Sequence, residues 1–146
     1  SEMCIRDRNK VDFIITSFHF GREGEDYPTK RQKKLAHKAI NLGSIIVLGH
    51  HPHVIQGIEK YKRGLIFYSL GNFCFGGNDN PEDKDSMIAK IELYKKGYEK
   101  GIKSYKTIPV KISSKNNINN FQPYTPKGKE YKRILRKIKK LSQFKH

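Results

Sequence analysis

The spacing of apolar residues changes several times along this chain, and each change predicts an element. Residues 11–20 (VDFIITSFHF) carry a short β-branched apolar core, Phe13-Ile14-Ile15, which predicts a buried strand. The strand ends at His19-Phe20-Gly21, and a charged loop follows over 22–28 with Glu23, Glu25 and Asp26. Residues 29–42 (TKRQKKLAHKAINL) place Leu35, Ala36, Ala39, Ile40 and Leu42 at helical spacing, with Thr29 as N-cap and Gly43 just past the end. Residues 44–48 (SIIVL) form a second apolar strand that runs into Gly49-His50-His51-Pro52-His53. Strand, helix and strand, with both strands apolar, predict a βαβ unit with parallel strands. His19 and the 50–53 cluster then fall at neighbouring carboxyl ends, the edge where open α/β sheets gather ligands.

Beyond the histidines the period shortens. Residues 54–60 and 64–70 flank a polar turn and predict a β-hairpin, which Gly71-Asn72 interrupts. Residues 76–81 are loop by composition. Residues 86–94 and 102–112 alternate across a turn at Lys95-Lys96-Gly97, as an antiparallel pair with one wet face would. Residues 113–120 are polar and asparagine-rich. Over 130–144, Ile134, Leu135, Ile138 and Leu141 recur at spacings of three and four. They predict a terminal helix with a narrow apolar stripe, which either docks on the sheet or lies on an anionic surface.

Length and composition add bounds. A chain of 146 residues, 36% hydrophobic and 30% charged, suits one globular domain. No apolar run approaches the ~20 residues of a bilayer-spanning helix, and residues 1–10 show no signal-peptide pattern. The net charge of +16 is extreme. It admits three readings: drift toward lysine-rich composition, attraction to an anionic polymer or surface, or nucleic-acid binding. From Lys115 onward Glu130 is the single acidic residue, a pattern usual for a solvated basic face. The two cysteines, Cys4 and Cys74, lack zinc-thiolate spacing; Cys74, within Phe73-Cys74-Phe75, reads as a small buried hydrophobe.

The histidines carry the chemistry. Imidazole is the commonest metal-binding side chain, and two histidines separated by one residue in a stiff turn can face one centre. Pro52 stiffens that turn, and His19 arrives from the neighbouring strand end. Such a set suits Mn, Fe, Zn, Co or Ni, whereas Ca and Mg prefer oxygen shells. His37 and His146, each alone, read as polar surface.

Four segments, SFHFGRE (17–23), VLGHHPHVIQ (47–56), LIFYSLGNFCF (65–75) and DSMI (85–88), resemble in order and spacing the C-terminal motifs of the CapA/PgsA poly-γ-glutamate capsule-synthesis family. The resemblance covers about residues 11–112. It implies relation to the calcineurin-like metallophosphoesterases, hence an α/β fold: the C-terminal part of a sandwich of two β-sheets flanked by helices, here with a basic C-terminal helix. Those enzymes hold two metals about 3.5–4 Å apart and act on phosphoesters. Their Gly-His-x-His motif matches His51 and His53 as ligands, and a short shift would substitute His50; His19 matches the lone ligand histidine of the preceding strand. Glu23 occupies the glutamate position of an HWGxE motif in which Phe20 replaces tryptophan; it orients a ligand, contacts metal or substrate, or is a solvated carboxylate. Asn72, with Ser69 and Gly71, either contacts the site or shapes a turn beside it.

The superfamily's remaining ligands and its catalytic histidine belong to N-terminal motifs with no counterpart in this chain. The catalytic residues are therefore unassigned, two ions are expected only in the intact protein, and this chain alone should bind one divalent transition metal weakly. The expected organisation is residues 1–8 as a linker or translated sequencing-adapter scar, 9–113 as the C-terminal part of the domain, and 114–146 as a basic tail. The resemblance implies a fragment of a metal-dependent phosphoesterase-like protein of capsule-polymer synthesis. The alternative is a non-catalytic binding module of a synthesis or export complex. Implied partners are an anionic polymer or phosphoester substrate and a membrane synthase complex; nucleic acid ranks last, because no recognition motif accompanies the basic tail. The implied location is the cell envelope, membrane-associated or extracellular, with no signal or anchor in this chain.

Overall fold

The structure is a computed structural model that describes residues 11–74 and 76–144; the expectations for residues 1–8 and for His146 fall outside these. Among the described residues eight elements follow one another: β1 (Ile15–His19), α1 (Lys30–Asn41), β2 (Ile46–His50), β3 (Ile58–Tyr61), β4 (Gly64–Phe67), β5 (Asp85–Lys96), β6 (Glu99–Lys111) and α2 (Gly128–Leu141). The first four strands form one sheet in the order β1-β2-β4-β3, and β5-β6 form a second. β1, β2 and β4 run parallel and β3 closes antiparallel on β4, so the predicted βαβ unit and hairpin share a sheet. This mixed α/β arrangement of two sheets and two helices is consistent with part of a metallophosphoesterase-like sandwich.

Strand alternation sends side chains of the four-stranded sheet into two cores. Val47, Ile66 and Tyr68 meet Ala36 and Ile40 of α1. Leu65 and Phe67 face the other way and pack with Met87 of β5 and with Ile134, Ile138 and Leu141 of α2. Burying each such aliphatic side chain stabilises the fold by about 1.5–3 kcal/mol. Of the two expectations for this helix, docking on the sheet is therefore the one the structure shows. Arg133 and Lys137 reinforce the docking. Arg133 grips the buried Asp85 with Nη1 at 2.9 Å and Nη2 at 2.5 Å, and Lys137 Nζ lies 2.6 Å from Asp83. Burial would raise the Asp85 carboxyl, but the Arg133 hydrogen bond and the charges of Lys137, Arg133 and Lys111 hold it below its ordinary value.

The Thr29 N-cap is present as a full capping box with Gln32. Four expectations need correction. β1 is not buried: it lies at the sheet edge, paired on one side with β2, and Ile15 is 52% exposed. β5 runs past its predicted end and β6 starts before its predicted beginning, so Lys95 and Lys96 are ladder residues, because solvated lysines at a hairpin tip do not interrupt backbone pairing. Cys74 is exposed, since it lies beyond the end of β4 and beyond the Gly71–Ser86 bridge. His37 is not simple surface. It stacks on Tyr61 with ring centres 3.7 Å apart, and its Nε2 lies 3.0 Å from the buried carboxylate of Glu59. The Tyr68 hydroxyl donates to the same carboxylate at 2.5 Å; burial, then that bond and charge, push the Tyr68 hydroxyl well above its usual range.

A candidate metal centre at the strand ends

His19 and His50 are the last residues of β1 and β2 and stand opposite each other in the parallel register. Just before His50, Gly49 packs so closely on the Tyr68 carbonyl that a β-carbon there has no room. The chain then turns with His51 at φ 98° and His53 at φ 61°, on either side of Pro52. Such left-handed backbone costs about 1–3 kcal/mol per non-glycine residue and persists only where neighbours enforce it. The enforcement is visible: Ser69 Oγ donates to the Val54 carbonyl at 2.7 Å, Leu70 N–H to the Gly49 carbonyl at 3.3 Å, and Gly24 N–H to the Pro52 carbonyl at 2.9 Å.

The last of these bonds lays the 21–28 loop against the histidine turn and delivers Glu23. One ligand-capable atom from each of Glu23, His51 and His53 lies within 4.8 Å of the others. His53 Nε2 stands 3.9 Å from Glu23 Oε1, too far for a hydrogen bond. The His19 ring lies beside that of His51, with centres 4.7 Å apart. Asn72, 6% exposed, sets Oδ1 2.7 Å from His53 Nδ1. A carbonyl oxygen only accepts, so this contact puts the ring hydrogen on Nδ1 and the lone pair on Nε2, toward Glu23. Asn72 therefore contacts one of the candidate ligands directly. His50 is placed elsewhere: it lines an apolar cavity of about 370 Å³ with Leu48, Leu70 and Met87.

The donor set suits a divalent transition metal. Two imidazoles and a carboxylate form a mixed nitrogen–oxygen shell, and a histidine oriented through its second nitrogen is the usual form of a ligating imidazole. The centre opens on two cavities. One, about 550 Å³, is lined by Phe18, Phe20, Arg22, Arg31, His19 and His51. The other, about 600 Å³, is lined by Glu23, His53, Asn72, Asp83 and Lys137. Lys137 thus joins the docked α2 to the wall of the site; its burial lowers its ammonium pKa, but bonds to Asp83 and Asp85 win and raise it.

Gln32 and Gln56, both wholly buried, tie the Glu23 loop to the core and escaped the sequence reading. A signal existed: Gln32 shares a buried face with Ala36 and Ile40, an amide where the helical stripe calls for an aliphatic residue.

These features define an α/β protein with a histidine–carboxylate cluster at the carboxyl ends of parallel strands. The family described as the bacterial capsule synthesis protein PGA_cap matches residues 2–77, slightly over half of the chain, and the chain belongs to that family. Capsule biosynthesis protein CapA of Bacillus anthracis is 39% identical over 90 residues, covering 62% of this chain and 22% of that protein. PGA biosynthesis protein CapA of Bacillus subtilis (strain 168) is 31% identical over 142 residues, covering 97% of this chain and 35% of that protein. The chain thus spans about a third or less of the length of these relatives.

Proposed function

We propose that this chain supplies the histidine-bearing part of a divalent-metal centre in a phosphoesterase-like protein that serves capsule-polymer synthesis at the cell envelope. The convergence of Glu23, His51 and His53 carries the reading. In it, His51 and His53 bind through imidazole nitrogen, Asn72 fixes the His53 tautomer, Glu23 supplies a carboxylate oxygen, and His19 is the adjacent fourth donor. A transition metal bound here would supply Lewis acidity toward a phosphoester and a water nucleophile at neutral pH. Arg22 and Arg31, in the cavity beside His19 and His51, would attract the anionic substrate.

The reading is tested by titrating the chain with Mn(II) and Zn(II) and counting bound metal in wild type, His51→Ala, His53→Ala and Glu23→Gln. One metal per chain, lost in the histidine variants, supports it; the same metal content in all four sinks it. Turnover of a chromogenic phosphodiester belongs to the longer protein and is measured there.

A non-catalytic module that binds an anionic polymer is the second reading. It draws on α2, where Lys132, Arg136, Lys139 and Lys140 are exposed on the helix whose opposite face is docked. Absence of bound metal together with salt-sensitive polymer binding would favour it.

A further inference from the structure

Glu23 lies in the segment between β1 and α1, and a carboxylate on a surface segment contributes little to a centre unless its backbone is held. Direct support for its side chain is slight. Glu23 is 70% exposed at the side chain, and the neighbouring Arg22–Glu25 pair is exposed at 4.0 Å, a separation that holds little in water. The backbone is held from beneath. The Gln32 amide accepts from the Thr29 N–H at 2.9 Å and donates to Gln56 Oε1 at 2.8 Å, and Gln56 Nε2 donates to the Glu25 carbonyl at 2.8 Å. Gly21, at φ 111°, rests directly on the Gln32 amide, where an added β-carbon would come within 2.8 Å of it. One buried amide pair therefore touches the segment at its start (Gly21), its middle (Glu25) and its end (Thr29), with Glu23 between the first two.

The two amides are 1% and 0% exposed. An apolar pair would fill the same space without the desolvation cost that buried amides carry. What the amides add is direction: each bond has one geometry, and the Glu25 carbonyl has one seat. Gln56 also belongs to the strand-end region of the site, since its N–H donates to the Ser69 carbonyl beside the Asn72 segment. The relay thus references the Glu23 segment to the same backbone that orients His53.

We propose that Gln32 and Gln56 are positioning residues of the Glu23–His51–His53 centre, acting through their mutual hydrogen bond to hold the 21–29 segment so that Glu23 stands beside the two histidines. The proposal rests on the metal-centre reading above.

The test is a double-mutant cycle on the full chain, with Mn(II) as the probe and native-state amide exchange as a metal-independent readout. Gln56→Met removes both side-chain bonds at nearly constant volume. It should weaken Mn(II) binding about tenfold, the scale typical of outer-shell partners, and should cause no further loss in a Glu23→Gln background. Gln32→Met, which breaks the same amide–amide bond from the helix side, should reproduce this result if Gln56→Met folds poorly. In the metal-free chain the Gly24 amide, bonded to the Pro52 carbonyl, should exchange at least about tenfold faster in the variant, while the Leu65 amide, bonded to the Ile45 carbonyl, should not change. Unaltered Mn(II) affinity, or losses that add in the double variant, overturns the proposal. If wild type binds no Mn(II), the metal-centre reading fails, and the exchange data alone decide: selective release of Gly24 upholds the hold on the segment, and uniform or absent change removes it.

Discussion

His53 Nδ1 and Asn72 Oδ1, 2.7 Å apart and nineteen residues apart in sequence, join the histidine turn to the segment that follows β4. The contact fixes which imidazole nitrogen carries hydrogen and turns Nε2 toward Glu23. Asn72→Ala should lower Mn(II) or Zn(II) affinity by about 10–100-fold, while Asn72→Asp, which keeps an acceptor, should retain most of it. Calorimetric titration of the two variants checks this, and equal affinities would sink the tautomer assignment.

His37 provides the contrast to His51 and His53. His37→Ala should leave metal binding unchanged, because the ring sits on Tyr61 and Glu59, away from the cluster. It should nonetheless lower stability by about 1–3 kcal/mol, since it withdraws a hydrogen-bonding partner from the buried Glu59 carboxylate. Urea unfolding alongside metal counting separates the two effects; loss of bound metal in a folded His37→Ala protein contradicts the assignment.

Asp85 should make the docking of α2 sensitive to acid. Its folded pKa is depressed below the ordinary 3.8, so its stabilisation is fully present above that value and is lost as pH falls through the folded pKa. Lys137 has the opposite sign: its folded pKa is raised above 10.5, and its contribution fades only as pH rises past that value. Asp85→Asn should therefore be less stable than wild type at neutral pH, by about 1–3 kcal/mol. The gap should narrow as pH drops below 3.8. Unfolding midpoints across this range decide it; a gap that stays constant contradicts the account.

The outward face of α2 gives an electrostatic prediction. On the second reading, in which α2 binds an anionic polymer, reversing Lys132, Arg136, Lys139 and Lys140 to glutamate should abolish binding to a polyglutamate probe and leave the fold intact, because these residues are exposed while Ile134, Ile138 and Leu141 hold the helix. Any wild-type binding should weaken steeply with salt. Salt-insensitive binding, or binding that survives charge reversal, removes α2 as the contact surface.

Much of the fold was legible because its periods are clean. The parallel β1-α1-β2 unit, the Thr29 cap and both hairpins follow from spacing and turn chemistry. The mistaken expectations share a cause: burial depends on neighbours that sequence does not list. Ile15 belongs to an apolar run yet lies on a sheet edge, and Cys74 lies between two phenylalanines yet beyond the end of the sheet. His37 looked solitary because its partners, Glu59 and Tyr61, are more than twenty residues away.

The sequence by itself determined which residues lie at the strand ends. The side-chain period of a strand and the hand of a βαβ crossover leave His19 and His50–His53 no other place. Tertiary structure alone decided which of them converge. His50 continues the strand and is directed into an apolar cavity, whereas left-handed backbone at His51 and His53, enforced by bonds from Ser69, Leu70 and Gly24, swings those rings toward Glu23. That choice depends on hydrogen bonds between segments distant in sequence, and local pattern carries no record of them.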